Sequence, residues 1–238
     1  MSKPEQQAAG QPEARQNVTF PSGGGTAYGY LALPPTGHGP GLIVIQEWWG
    51  LTDHIADVTE RLAQAGFVAL APDLFGGRVA HDSREAARIS AELPVERGVE
   101  LLSGAVDYLL SRPETTGSRL GAVGFCMGGG FVLHLAAVEP RVAAAVPFYG
   151  VIPGPLPDFS RSRARILGHY GEHDHTVPAD SLPELAARIT AESGIQPTFH
   201  VYPAGHAFFN DTRPGNHDPE SAALAWRRTL SFLHETLG

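Results

Sequence analysis

The sequence predicts an α/β fold: a mostly parallel central sheet with helices on both faces, preceded by an antiparallel hairpin. Three observations carry this. From Gly41 onward, short apolar runs that read as buried strands alternate with longer runs of helical spacing. Two strand-like segments joined by Ser22-Gly-Gly-Gly25 come before them. Near the middle, the only cysteine stands in Gly124-Phe-Cys126-Met-Gly128, between a strand pattern and a helix pattern.

Taken in order, residues 1–16 are polar and read as a flexible tail, and residues 17–238 as one domain. Asn17–Phe20 and Ala27–Leu33 form the hairpin. Gly41–Ile45 is a continuous apolar run of the kind covered on both faces. A helix is expected from about Asp53 to Ala65, where Ile55, Val58 and Leu62 recur at helical spacing, and then a strand at Phe67–Ala71. Residues 82–111 read as two helices split near Pro94. The strand Leu120–Phe125 leads through the cysteine turn to a helix at Phe131–Val138. Strands at Val142–Phe148 and Arg165–Tyr170, a helix at about Leu182–Glu192, a strand at Gln196–Tyr202 and a closing helix at Glu220–Leu237 complete the chain.

The 238 residues carry a net charge of −8 and no basic run, which argues against nucleic acid or an anionic membrane as partner. No apolar stretch approaches a membrane span. A single cysteine cannot form an internal disulfide, and residues 1–16 lack the apolar core of a signal peptide, so a cytoplasmic location is expected.

In a parallel sheet the ligand lies at the carboxyl ends of the strands, so the residues just after strands carry the chemistry. Glycines flanking Cys126 relieve the crowding of a sharp strand-to-helix turn that presents a nucleophile at a helix N-terminus, where the dipole favours a thiolate. Asp174, in Gly171-Glu-His-Asp-His175, follows one later strand. His206, in Ala204-Gly-His-Ala207, follows the last. The order nucleophile, acid, histidine is that of an α/β-hydrolase triad. The loop Gln46-Glu-Trp-Trp-Gly50 follows the first parallel strand and nominates the backbone N–H of Trp48, with that of Met127, as an oxyanion hole. Glu47 would then sit close to the thiol and oppose its ionisation.

These segments resemble the dienelactone hydrolase family (carboxymethylenebutenolidase-like proteins) of the α/β-hydrolase fold. The matching residues are Gln46-Glu47 with the aromatic and Gly50 that follow, Ala71-Pro-Asp-Leu-Phe75, Gly124-Phe-Cys126-Met-Gly-Gly129, Asp174 with Val177-Pro178, and Gly205-His206-Ala-Phe208; the resemblance spans about residues 17–236. It implies a Cys126–His206–Asp174 hydrolase acting on lactones or small esters, with Glu47 helping to deprotonate the thiol when substrate binds. Where the best-known members place a carboxylate-gripping arginine four residues after the histidine, this chain has Asn210. Arg78 falls one residue from the place of a second such arginine. Arg78, Trp49, Phe75, Phe208 and Asn210 are therefore the expected substrate contacts. One of Trp48 and Trp49 is expected to face the pocket and the other the core, since neighbours in extended chain point opposite ways. Neutral short-chain esters are expected to be turned over.

No cofactor and no metal site is expected: the spacing of His169, His173 and His175 matches no metal-ligand pattern. Two other readings of Cys126 are a non-catalytic small-ligand-binding protein on the same fold and a redox-sensing thiol. All three triad members are present, and no second cysteine is available to resolve an oxidised one.

Overall fold

The computed structural model describes residues 14–238. The hairpin pairs β1 (Val18–Ser22) with β2 (Gly25–Ala32), Val18 opposite Gly29. Its turn is made by Gly23 and Gly24 at φ of 56° and 72°, a region that side chains disfavour. There follow β3 (Gly39–Ile45), α1 (Asp53–Gln64), β4 (Val68–Pro72), α2 (Ser83–Ala91), α3 (Val95–Ser111), β5 (Thr115–Phe125) and α4 (Met127–Val138). Then come β6 (Val142–Phe148), β7 (Arg165–Gly171), α5 (Leu182–Ser193), β8 (Thr198–Tyr202) and α6 (Pro219–Leu237). The strands form one sheet in the order β1-β2-β4-β3-β5-β6-β7-β8. β2 is antiparallel to both β1 and β4, and the neighbours from β4 onward are parallel.

The pleat of β3 explains its continuous apolar sequence. Leu42 and Val44 share one core with Ile55 and Leu62 of α1 and Leu233 of α6. Ile43 and Ile45 share the opposite core with Leu102 and Val106 of α3 and Phe131 of α4. Both faces are covered, so alternation with polar residues has no place there. Each such side chain, fully buried, contributes about 1.5–3 kcal/mol by leaving water.

Two elements exceed their expected bounds by four residues or more. α4 begins directly after Cys126 rather than at Phe131. Its first turn is Met127-Gly-Gly-Gly130, a poor helix former by propensity, and packing overrides that preference. A side chain at Gly128 would collide with the carbonyls of Ile45 and Gln46, and one at Gly130 with that of Val151. The glycines let the helix lie against the sheet at the point where the turn must be tight. β5 begins at Thr115, because Thr115 and Thr116 pair with Gly39 and Pro40 before a register shift; the polar, exposed residues there give no apolar pattern to read.

Of the expected tail at residues 1–16, residues 1–13 lie outside the described residues. Arg15 donates its backbone N–H to Leu51 at 3.2 Å and meets Asp53 at 3.0 Å, and Gln16 donates to Asp73 at 2.6 Å. No helix among the described residues is long and apolar enough to cross a membrane.

Candidate active site

The carboxyl ends of β5, β7 and β8 bring three side chains into a line. Cys126 caps α4 at φ 53° and ψ −118°, a strained conformation for a residue with a Cβ. It is held there by its N–H donating to the Phe148 carbonyl at 3.0 Å and by its own carbonyl accepting from Val151 at 2.9 Å. Nε2 of His206 lies 3.2 Å from Sγ of Cys126, and Nδ1 lies 2.7 Å from Oδ2 of Asp174. The other oxygen of Asp174 accepts the backbone N–H groups of Thr176 (2.7 Å) and Val177 (3.0 Å). Burial pushes the Asp174 carboxyl up, but the bonds from His206 and from these two amides outweigh it and leave the group below the usual carboxylate range. Asp174 is thus a fixed anion that sets the imidazole's orientation. The line can pass a proton from thiol to imidazole and hold the resulting imidazolium.

The resting thiol is not a ready thiolate. Burial first, and the Glu47 charge second, push Cys126 up to about 12. The backbone N–H groups of Met127 and Trp48 pull the other way, as the helix N-terminus was expected to do, but they do not win. Desolvation at the base of a walled cavity exceeds what two amides return.

Glu47 is itself almost wholly buried, 3% exposed. Its Oε2 accepts from the Asn210 amide at 2.7 Å, and the Tyr149 hydroxyl lies 3.5 Å from Oε1. Burial raises this carboxyl above its ordinary range, offset in part by the nearby His54 and by Asn210. Tyr149 follows β6 directly at φ 37° and presents its ring edge to His206, centroids 5.1 Å apart. It is fully buried between the two groups able to receive the thiol proton.

A cavity of about 240 Å³ opens above the thiol, walled by Glu47, Trp48, Trp49, His206, Asn210 and Arg213. A larger groove of about 440 Å³ along Thr176–Leu185 contains none of the three aligned side chains. Both tryptophans line the cavity, ring centroids 5.1 Å apart and nearly edge to face. They sit in a turn, where the alternation expected of extended chain does not hold.

The expected substrate contacts divide. Trp49 and Asn210 face the cavity, but the Asn210 amide is already engaged by Glu47. Phe75 belongs to the core beside α2 and α3, and Phe208 is sealed against Tyr149 and Tyr202, so neither lines the cavity. Arg78 does not reach it either: its guanidinium is tied to Glu92 at 2.5 Å and to the Phe75 carbonyl at 3.2 Å. The cation at the rim is Arg213, lying flat on the Trp49 ring with its carbon 3.7 Å from the centroid. Arg213 stands seven residues after His206, and the turn at Asn210–Asn216 brings it to the rim. Tyr149 was also unforeseen; its place immediately after a buried strand is the signal that marks it.

A mostly parallel sheet with a strained strand-to-helix turn and an aligned thiol, imidazole and carboxylate at its strand ends defines an α/β-hydrolase. The sequence profile of the dienelactone hydrolase family matches residues 27–237, and the chain belongs to that family. Among its relatives, Protein usf of Aquifex pyrophilus is 33% identical over 230 residues, covering 93% of this chain and 99% of that one. An Escherichia coli (strain K12) protein described as a candidate carboxymethylenebutenolidase is 32% identical, covering 92% and 86%. A solved structure of a candidate dienelactone hydrolase from Klebsiella pneumoniae superposes with a TM-score of 0.83 at 31% identity, over 94% and 98% of the two chains.

Proposed function

We propose that this protein hydrolyses small carboxylic esters or lactones through an acyl-thioester on Cys126. The observation that carries the reading is the 3.2 Å and 2.7 Å alignment of Cys126, His206 and Asp174. In the first half-reaction His206 takes the thiol proton and the sulfur attacks the substrate carbonyl. The oxyanion forms between the N–H groups of Trp48 and Met127, the two amides that favour charge on the sulfur. Collapse breaks the ester C–O bond, and the leaving oxygen takes the proton from His206. In the second half, His206 deprotonates a water that attacks the thioester; the sulfur leaves and recovers its proton.

A thiol near 12 speaks against a redox sensor, which needs a thiolate at rest. Neutral short-chain esters suit the cavity, since Asn210 supplies no charge, Arg78 points away and the Arg213 guanidinium at the rim is stacked on Trp49. A screen of p-nitrophenyl esters, lactones and thioesters tests the reading. Turnover of none of them, with folded protein, would end it.

Glu47 has a role of its own here. Its charge opposes ionisation of the empty site's thiol and so protects the sulfur from oxidation. Substrate that displaces the carboxylate lets Glu47 accept the thiol proton first and hand it to His206, so the leaving oxygen still takes that one proton from the imidazole. Glu47→Gln is expected to slow acylation by about tenfold or more, measured as the burst phase with a p-nitrophenyl ester. A wild-type burst rate would leave Glu47 as a structural acid.

A further inference from the structure

The groove of about 440 Å³ runs along the loops that follow β6 and β7, at the same carboxyl edge of the sheet as the triad. Val151, Ile152, Leu156, Val177 and Leu185 line it, each half-buried, beside the buried Leu182. Apolar side chains left open in one connected stretch mark a place where an apolar group docks. The walls are pinned. His134 of α4 donates to the Pro153 carbonyl at 2.9 Å, and Phe159 donates its backbone N–H to Glu192 of α5 at 2.8 Å.

Two ties fix the groove to the triad. The Val151 N–H donates to the Cys126 carbonyl at 2.9 Å. Thr176 and Val177, on the other wall, are the residues whose N–H groups hold Asp174. The polar groups along the groove do not call for a charged ligand. Arg188 is bonded to Glu192 at 2.8 Å, and the Ser181 hydroxyl donates to the Pro178 carbonyl at 2.7 Å. Glu184 stands exposed on α5, an anion at the rim that turns carboxylates away.

The tetrahedral carbon of the proposed intermediate has four bonds. One is to the sulfur of Cys126. The oxyanion turns to the amides of Trp48 and Met127, and the leaving oxygen must meet Nε2 of His206 to be protonated. The fourth bond carries the acyl chain. β5 lies between β3 and β6, and the oxyanion loop follows β3, so the acyl chain takes the β6 side, where Gly150 and Val151 begin the groove. We propose that this groove is the acyl-chain subsite, and that the preferred substrates are esters of neutral, apolar, medium-chain acids. The subsite rests on the hydrolase reading and sharpens it. The leaving group takes the cavity of about 240 Å³, and the acyl chain lies along Ile152, Leu156 and Leu185.

The test is a series of p-nitrophenyl esters kept below micelle-forming concentrations: acetate, butyrate, hexanoate and octanoate. In wild type, kcat/KM is expected to rise by about tenfold or more from acetate to hexanoate or octanoate, as burial of a few methylenes implies. Leu156→Trp, which fills the groove, and Leu185→Glu, which charges it, are each expected to cut the octanoate-to-acetate ratio by about fivefold or more, with acetate turnover unchanged. Leu156 lies in a loop, so its variant carries the test should Leu185→Glu fail to fold. The ratio is taken within each variant, so changes in overall turnover cancel. Calorimetry of Cys126→Ala with octanamide reads the groove without turnover, and binding is expected to be lost when Leu156→Trp is added. Acetate turnover with a series that is flat or falling, a rise untouched in both variants, or octanamide left unbound would overturn the subsite and leave the hydrolase standing. No turnover of any ester, with octanamide still held through Leu156, would instead sink the hydrolase reading and keep the groove as a site for apolar chains.

Discussion

Cys126→Ala is expected to abolish ester turnover, with kcat/KM falling by about 10⁴-fold or more. The thiol lies 3.2 Å from the His206 imidazole and is influenced by the backbone amides of Met127 and Trp48. Without it the oxyanion donors and the imidazole remain, and they give at most a trace of general-base hydrolysis. Cys126→Ser is the sharper variant. It keeps the geometry but substitutes a hydroxyl that ionises far less readily, beside a buried carboxylate that opposes ionisation further, so a loss of about 100-fold or more is expected. One equivalent of a thiol alkylator should remove activity in proportion to label on Cys126. In empty enzyme it should act slowly near neutral pH, because burial and the Glu47 charge push the thiol well above the ordinary cysteine range and leave little thiolate. Full activity in Cys126→Ala would end the nucleophile assignment.

His206→Ala is expected to cost about 10³-fold or more, and Asp174→Ala less, about 10²-fold. In the proposed mechanism Asp174 acts only through the imidazole, by fixing its tautomer with a 2.7 Å bond and balancing its charge once it takes the proton. The double variant should therefore fall no further than His206→Ala alone. Multiplied losses in steady-state kinetics would mean that the two side chains work independently. The carboxyl of Asp174 is held below its ordinary range, so its contribution is present above the unfolded-state value and fades only as acid protonates it in the folded state.

The strand-end residues were legible because their positions are set by backbone periodicity. Phe125, Phe148 and Tyr170 end apolar runs, and whatever follows an apolar run in a parallel sheet stands at its carboxyl edge. Pro94 divided two helices for an equally local reason, having no N–H to give a helix interior. The cavity walls were not legible in this way. Trp48 and Trp49 occupy a turn, so neither helical nor extended spacing fixes their directions. Arg78 was one residue from a useful place, yet its long chain found Glu92, and no spacing rule ranks two partners for one guanidinium. Phe75, expected as a substrate contact, belongs to the core, and the aromatic packed on His206 is Tyr149. Burial alone does not distinguish a core aromatic from one that borders a site. The thiol's ionisation reversed an expectation drawn from the helix dipole, since desolvation depends on walls supplied by distant segments.

The bond between Glu47 and Asn210 joins residues 163 positions apart, and the Cys126–His206 contact joins residues 80 apart. Every polar contact of the triad and of Glu47 with another side chain thus closes a long loop. Such pairings form late, because the entropy of closure must be met before the contact returns anything. Folding intermediates with most of the sheet in place would still lack a paired Glu47 and an oriented imidazole. A chain that stalls before these pairings close lacks the chemistry while keeping most of its secondary structure. Turnover is therefore a stricter gauge of completed folding in this protein than its helical signal.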